Sequence, residues 1–427
     1  MPTIQDRVFL DQISISGYRS CEKTTFCPCP NLSALIGING AGKTNILNAI
    51  SLLSPREIRP YRGRKKDASA IETVITAWFI FRKRRIGLKL RLLLSSDSSG
   101  NDEIISYQEE WNLSPFLKYK NWVGGLFSLL FSEDSSHHLN ISRHMYIRRY
   151  ERHLSQKGKK ALDAIFQLKP KKYNDLMSTI RAINYFRRSI KYYSASRFTD
   201  PTRCPTNFEV NSQDRLEPQY RGAGAHHVQF LFNLYSLKQK NPNLYKEYED
   251  YISKPRLGLI SRLSWKIVSL SSNTAEVKSG GKLSRGRQYK TLIIPKIQIG
   301  SSHITFNQLS EGTFKTLALI FYIMTESSSC LLIEEPEVCV HHGLLDRIIG
   351  TIDAHSQYKQ IIFSTHSDLV LDKIPQSSVF VVEKKKAATR VSNLSKWLGK
   401  KEVTALNVYL KEVGTLGEYW RSGGFSA

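Results

Sequence analysis

The chain has 427 residues, 41% apolar and 23% charged, with 62 Lys+Arg against 37 Asp+Glu for a formal net charge of +25. That length and apolar share support a large buried core, in two lobes or one elaborated domain, and exclude a disordered chain or a small disulfide scaffold. No apolar run approaches the roughly 20 residues that span a bilayer, the longest being the nine residues from Thr316 to Met324, so no membrane association is expected. Asp6, Arg7 and Asp11 make the start unlike a signal peptide, and six scattered cysteines read as reduced thiols, so a cytoplasmic protein is expected. Cys21, Cys27 and Cys29 cluster, but Cys-Pro-Cys lacks the two-residue gap of a zinc half-site.

Strand-like alternation opens the chain over residues 9–16, with Ile13 and Ile15 on one side, and a second apolar run at 32–37 ends in a glycine-rich turn. Ile46, Leu47, Ile50 and Leu53 follow at helical spacing, giving the local order strand, loop, helix. Residues 73–81, 87–95 and 103–113 read as three strands of an antiparallel layer. From 121 to 189 the pattern is helical, with Leu176, Ile180 and Ile183 on one apolar face. Between Lys118 and Arg197 stand 17 Lys/Arg and 5 Asp/Glu, about half of the whole basic excess. A short strand at 190–195, a loop with Pro201, Pro205 and Pro218, one helix over 226–251, and strands near 263–270 and 289–306 come next. The last third alternates helix 311–325, strand 330–334, helix 342–355, strand 360–364, a short helix and strand 379–383. Such alternation marks parallel α/β architecture, so the predicted fold class is α/β with a mixed or parallel core sheet, an antiparallel β layer and a basic helical insertion.

Gly37-Ile38-Asn39-Gly40-Ala41-Gly42-Lys43-Thr44 fits G-x-x-x-x-G-K-[ST] at every position and stands between a strand and a helix, the context this loop requires. Its backbone N–H groups, with the helix start at Asn45, would ring phosphate oxygens, Lys43 would reach the β- and γ-phosphates and Thr44 would hold Mg2+. ATP and Mg2+ are therefore the expected cofactors. A site of this class also needs an acidic group on the metal and, if it hydrolyses, a base for water. Glu334 and Glu335, after the apolar run Cys330-Leu331-Leu332-Ile333, supply both: Glu334 is assigned to Mg2+ and Glu335 to the water, because neighbours on a strand point in different directions. Alone, two glutamates after an apolar strand often form a solvated strand end; the P-loop in the same chain favours the functional reading. Ser310 in Leu309-Ser310-Glu311-Gly312-Thr313 takes the N-cap position of a helix whose free N–H groups form an anion site, and Ser364-Thr365-His366-Ser367 closes the next strand after the glutamates.

In the order of these four segments the chain resembles the ABC-type ATPase heads of the RecF, SMC and overcoming-lysogenization-defect group, including the Septu-like and PARIS-like ATPase subunits of bacterial anti-phage systems. The resemblance runs from Phe9 to about Glu383. It implies a head-to-tail dimer around two ATP molecules, with Ser310 and Gly312 of one protomer closing on the γ-phosphate held by Lys43 of the other and His366 sensing it. It implies slow, regulatory hydrolysis of ATP to ADP and phosphate, with a monomer nearly inactive. Glu334 stands where many relatives have Asp, so its contact with Mg2+ is direct or through water. Gln108 is the candidate for the metal-side glutamine of these heads. Residues 1–117 form the expected N-terminal ATPase lobe, 118–197 the basic helical insertion, and 198–427 the rest of the head with its tail.

Some relatives carry a nuclease after the ATPase, but only 61 residues follow His366 and they hold no Asp-x-Asp pair, so a separate effector, a nuclease or toxin, is the implied partner. The alternative is a RecF-like repair or chromosome-maintenance ATPase that binds DNA itself, with Tyr146, Tyr150, Tyr173, Tyr185 and Tyr192 interleaved in the Lys118 to Arg197 segment as a phosphate-tracking surface. That segment reads equally as an insertion that meets an acidic partner or only keeps the protein soluble. Long coiled-coil arms are excluded by the lack of a sustained heptad run. The histidine pairs lack ligand companions at metal spacing and read as structural. The tail from Gly414 to Gly424 resembles the C-terminus of defence ATPases, with Trp420 either packed on a neighbouring chain or at the surface.

Overall fold

The computed structural model describes residues 7–55, 57, 70–96, 102–117, 123–124, 160, 163–165, 167–210, 216, 225–278, 282–325, 329–338, 340 and 342–423. Its strands are β1 (Phe9–Ser16), β2 (Thr24–Phe26), β3 (Leu32–Ile36), β4 (Ile71–Phe81), β5 (Arg84–Ser96), β6 (Asp102–Asn112), β7 (Val123–Gly124), β8 (Ile190–Ser194), β9 (Phe208–Val210), β10 (Arg262–Lys278), β11 (Lys282–Ile299), β12 (Ser302–Ile304), β13 (Cys330–Glu334), β14 (Gln360–Ser364), β15 (Val379–Lys385) and β16 (Ala388–Asn393). Two units divide the chain: Met1–Tyr192 with Glu326–Glu334 and Ser356–Ala427, and Tyr193–Thr325 with Glu335–His355.

The first unit is built on two six-stranded sheets. One runs β2-β1-β4-β5-β6-β7 and is antiparallel throughout. The other runs β16-β15-β3-β14-β13-β8, with β15, β3, β14 and β13 parallel and β16 antiparallel at the edge. Sequence pattern separates the two. Every residue of β3 and β14 is buried, as in parallel strands covered on both faces, whereas β4 alternates, sending Thr73, Ile75, Ala77, Phe79 and Phe81 inward. The inner residues of both sheets share one apolar core with Ile46, Leu47, Ala49 and Ile50 of the helix Lys43–Ser51 and with Leu176, Ile180, Ile183 and Phe186 of the helix Pro170–Arg188.

Two buried polar groups tie this core together. A bulge in β1 between Leu10 and Gln12 disturbs the ladder, and the buried Gln360 amide repairs it by accepting from Leu10 N (2.8 Å) and donating to Leu10 O (2.9 Å) and Cys29 O (2.8 Å). Arg187, with 0% side-chain exposure, forms a forked pair with Glu109 (3.2 and 2.9 Å) and donates from Nε to Leu53 O (2.9 Å), just beyond the P-loop helix. A buried cation is tolerated because its N–H groups meet a carboxylate and carbonyl oxygens and its plane lies over Trp111.

The second unit carries the sheet β10-β11-β12, with β9 also on β11, and an aromatic cluster in which Phe198, Phe230, Phe306, Phe314 and Phe321 meet edge to face or tilted. Here the sequence reading needs correction. The helix expected over 226–251 is two helices, Ala225–Lys240 and Pro242–Ile252, because Pro242 brings no N–H to the ladder and the Asn241 side chain caps Leu244 N (3.2 Å). The strands near 263–270 and 289–306 belong to one long hairpin, paired from Arg262 with Gln298 to Lys278 with Lys282.

Within the expected helical stretch 121–189, Val123–Gly124 instead pairs with β6, the helix Pro170–Arg188 is present, and residues 125–159 lie outside the described residues, Tyr146 and Tyr150 among them. After β16 the helix Leu394–Glu412 kinks at Gly399, and a capping box of Thr415 and Glu418 starts the helix Leu416–Arg421. That last helix sits on the helix Asp368–Leu371: Gly417 N donates to Asp372 Oδ1 (2.7 Å), Arg421 pairs with Asp368 (2.5 Å), and a Cβ on Gly417 would lie 2.2 Å from Asp368 O. Among the described residues no helix is long and apolar enough to cross a membrane.

Candidate functional site

In the first unit, β3, β13 and β14 run parallel and end at one edge, where side chains at the carboxyl ends of neighbouring strands meet. From β3 the chain enters the loop Gly37 to Gly42 and then the helix Lys43–Ser51, as the sequence predicts. Gly42, at φ 106°, leaves no room for a side chain, since a Cβ would lie 2.1 Å from Thr389 Oγ1. Thr389, on the edge strand β16, donates to Ala41 O (2.9 Å) and accepts from Ser20 Oγ (2.8 Å), which accepts from Asn45 Nδ2 (2.7 Å). The loop is thus buttressed from behind, and the Asn45 side chain is spent on Ser20, so what Asn45 can offer a phosphate is its backbone. Asn39 and Gly40 are exposed on the loop, and the buried Lys43 donates to Gly37 O (2.9 Å) and Ile38 O (3.2 Å).

Glu334 closes β13, and both of its oxygens accept from hydroxyls. Thr44 Oγ1 donates to Oε1, and Tyr192, from β8, donates to Oε2 at 2.8 Å. Ser364, the parallel register partner of Glu334, is buried, and its Oγ has no hydrogen-bond partner among the described residues. One residue on, Thr365 N donates to Leu35 O (3.1 Å) and Thr365 Oγ1 accepts from Ser367 N (3.0 Å), which fixes the turn carrying the half-buried His366.

This donor set fits Mg2+, a hard cation that takes one or two carboxylates, keeps several waters and fills its shell with phosphate oxygens. Thr44 and Glu334 would hold it, and the buried Ser364 hydroxyl, without a partner among the described residues, could accept or donate one further hydrogen bond. Among the described residues no group of three His, Cys, Asp or Glu is suited to a metal.

Glu335 differs from expectation in its cause. The strand ends at Glu334, so strand alternation does not separate the two carboxylates; Glu335 opens a turn at φ 48°, its C=O accepting from Val338 N (3.1 Å). Left-handed backbone at a non-glycine residue costs energy and clusters at functional positions. The boundary between the two units falls between Glu334 and Glu335. In the second unit, Ser310 is the N-cap of the helix Glu311–Met324, its Oγ accepting from Thr313 N (3.3 Å), with Ser310 exposed and Gly312 half-buried in the first turn. Lys315 pairs with Glu311 (2.5 Å) and holds that carboxyl below its usual range.

The P-loop, Glu334 and the His366 turn therefore come together in one unit. Gln108 does not join them: it is exposed on β6 in register with Arg91. Two groups counted towards a basic, tyrosine-studded surface are committed elsewhere, Arg187 to Glu109 in the core and Tyr192 to Glu334. Sequence reasoning missed Ser20, Tyr192 and Thr389. None lies in a motif, and nothing in Ile190-Lys191-Tyr192-Tyr193-Ser194 distinguishes the first tyrosine from the second.

A family profile described as "AAA domain" matches residues 12–254, and one described as "AAA domain, putative AbiEii toxin, Type IV TA system" matches residues 181–372. Short segments are similar to "DNA replication and repair protein RecF": that of Caulobacter sp. (strain K31) is 49% identical over 49 residues, 12% of each chain, and that of Trichlorobacter lovleyi is 40% identical over 58 residues, 14% of this chain and 15% of that protein. The chain thus spans under a sixth of the curated relatives it matches. Among solved structures, an SMC head bound to the C-winged helix domain of ScpA is 14% identical, with a TM-score of 0.46 over 91% of this chain and 98% of that one. The SMC head domain of Thermotoga maritima is 11% identical, with a TM-score of 0.41 over 90% and 99%. Since the first profile accounts for more than half of the residues, the entire P-loop among them, the chain belongs to the family of AAA-domain ATPases.

Proposed function

We propose that this chain is the ATP-hydrolysing subunit of a cytoplasmic anti-phage defence complex, pairing head to tail with a second copy around ATP and Mg2+ and controlling a separate effector, a nuclease or toxin. The observation that carries the ATPase part is the contact of Thr44 with Glu334, which joins the P-loop hydroxyl to the acidic strand end. Lys43 exchanges the carbonyls of Gly37 and Ile38 for the β- and γ-phosphates, and Thr44 and Glu334 would hold Mg2+. Bound Mg2+ neutralises phosphate charge. Glu335 accepts the proton of the attacking water and His366 contacts the γ-phosphate, while Ser310 and Gly312 of the second copy offer it a helix N-terminus. Turnover is slow and regulatory, because each site waits for a second chain.

The defence part is supported by the profile over residues 181–372, whose description names a putative toxin of a toxin–antitoxin system, and the separate effector follows from the resemblance alone. The basic residues of 118–197 that are not spent in the core, as Arg187 is, are left to contact a partner or nucleic acid. The test uses Glu335→Gln, which should bind ATP, hydrolyse it at least about a hundredfold more slowly and trap the closed dimer. Purified with ATP and Mg2+ from cells expressing its genomic neighbours, the trapped form should retain a stoichiometric protein partner. Retention of nucleic acid alone, lost at raised salt, would replace this reading by the RecF-like one. Wild-type turnover by Glu335→Gln would overturn the assignment of the base.

A further inference from the structure

Among hydroxyls near the nucleotide loop, Tyr192 has a position that the motifs do not account for. Glu334 has one more rotatable bond than an aspartate would, and a longer carboxylate loses more rotamer freedom when it is held in one geometry. Its Oε1 accepts from Thr44 and its Oε2 accepts from Tyr192 OH at 2.8 Å. Tyr192 and Glu334 stand on β8 and β13, neighbours in one sheet, so the hydroxyl arrives on a rigid ring from a fixed backbone. The next residue shows the contrast. Tyr193 points the other way, as strand alternation requires, and is buried, with its OH donating to Lys315 O (3.0 Å) and its ring stacked on Phe198 (5.4 Å).

We propose that Tyr192 is a positioning residue for the metal site: its hydroxyl pins Glu334 Oε2, so that Oε1 takes the Thr44 proton and the Thr44 lone pairs are left for the cation. This rests on the reading of Thr44 and Glu334 as the metal-holding pair. A glutamate pinned at both oxygens presents itself as a fixed second acceptor, and Tyr192 makes up for the flexibility that the extra methylene introduces.

Tyr192→Phe removes the hydroxyl and keeps the ring. The probe is Mn2+, titrated by electron paramagnetic resonance against protein loaded with a non-hydrolysable ATP analogue. Losing a hydrogen bond to an ionised group should weaken Mn2+ binding about tenfold, while metal-free nucleotide affinity stays within about twofold. In the ATPase assay the Mg2+ concentration for half-maximal rate should rise in the same proportion, with a smaller change in kcat at saturating Mg2+. Tyr193→Phe should lower the melting temperature and leave Mn2+ affinity unchanged. In a Glu334→Gln background, Tyr192→Phe should cost nothing further, because the two residues act as a unit. Wild-type Mn2+ affinity in Tyr192→Phe, or additive losses with Glu334→Gln, would overturn the proposal. Failure of the wild-type protein to bind Mn2+ with the analogue would instead overturn the ATPase reading of the site.

Discussion

Replacing Arg187 by methionine takes away the guanidinium that faces Glu109 in the core of the first unit. Methionine fills similar volume, so the cost is electrostatic rather than a cavity. The Glu109 side chain is 9% exposed and Arg187 is 0% exposed, so the carboxylate would remain buried without its cation, keeping among the described residues the Trp111 indole bond (2.8 Å). Breaking a buried pair from one side costs about 3–5 kcal/mol. The Leu53 carbonyl loses its donor as well, for about another 1 kcal/mol. The predicted loss is thus about 4–6 kcal/mol, a large part of the typical 5–15 kcal/mol of a folded domain. Urea unfolding at pH 7, followed by tryptophan fluorescence and circular dichroism, measures it. Adding Glu109→Gln removes the stranded charge, so the double variant should recover at least about 2 kcal/mol relative to additivity. A loss under about 2 kcal/mol for Arg187→Met, or simple additivity in the cycle, would refute the claim that this pair is buried and coupled.

Lys43→Ala should weaken ATP binding by about a hundredfold or more, read by fluorescent-nucleotide titration, because the charge facing the β- and γ-phosphates is gone; near-normal affinity would exclude the loop as the site. Gly417→Val places a side chain against Asp368 O, 2.2 Å from where its Cβ must stand, and should release the terminal helix to limited proteolysis with little change in the main unfolding transition. Full protection of that helix would contradict the close approach. Burial of His227, stacked on Phe314 (5.1 Å) with its Nε2 at Thr199 O (3.1 Å), pushes its pKa below the usual 6.5. The unfolded chain therefore takes up the proton first, so this stability is complete above about pH 6.5 and is lost as pH falls through the lower folded value. Melting temperatures between pH 7 and 5 should fall, and His227→Phe should make the fall shallower.

Where one residue run decides the outcome locally, the sequence predicts the structure well. The strands Cys330–Glu334 and Gln360–Ser364 are continuous apolar runs bounded by polar residues, and their expected and observed limits coincide. Ser310 reads as an N-cap because its role depends only on the next three residues. Legibility fails where a tertiary partner decides. The helix break follows from Pro242, a residue that the single helix expected over 226–251 leaves out of account, while the turn at Glu335 has a left-handed backbone that no side-chain pattern encodes. Tyr192, Ser20 and Thr389 are ordinary strand and loop residues until the sheet brings them to Glu334 and the P-loop.

The buttress behind the P-loop also sets a schedule. Thr389 reaches Ala41 across 348 residues, and Gln360 reaches Leu10 across 350. At a synthesis rate of about 5–20 residues per second, the loop leaves the ribosome roughly 17–70 s before the threonine that braces it. During that interval the nascent chain carries its phosphate loop unbraced, with the apolar face of the following helix still waiting for strands from the last quarter of the sequence. A chain stopped just short of β16 would contain every nucleotide motif from Gly37 to His366 and still lack the support behind them, so synthesis of the nucleotide site finishes with an edge strand that belongs to no motif at all.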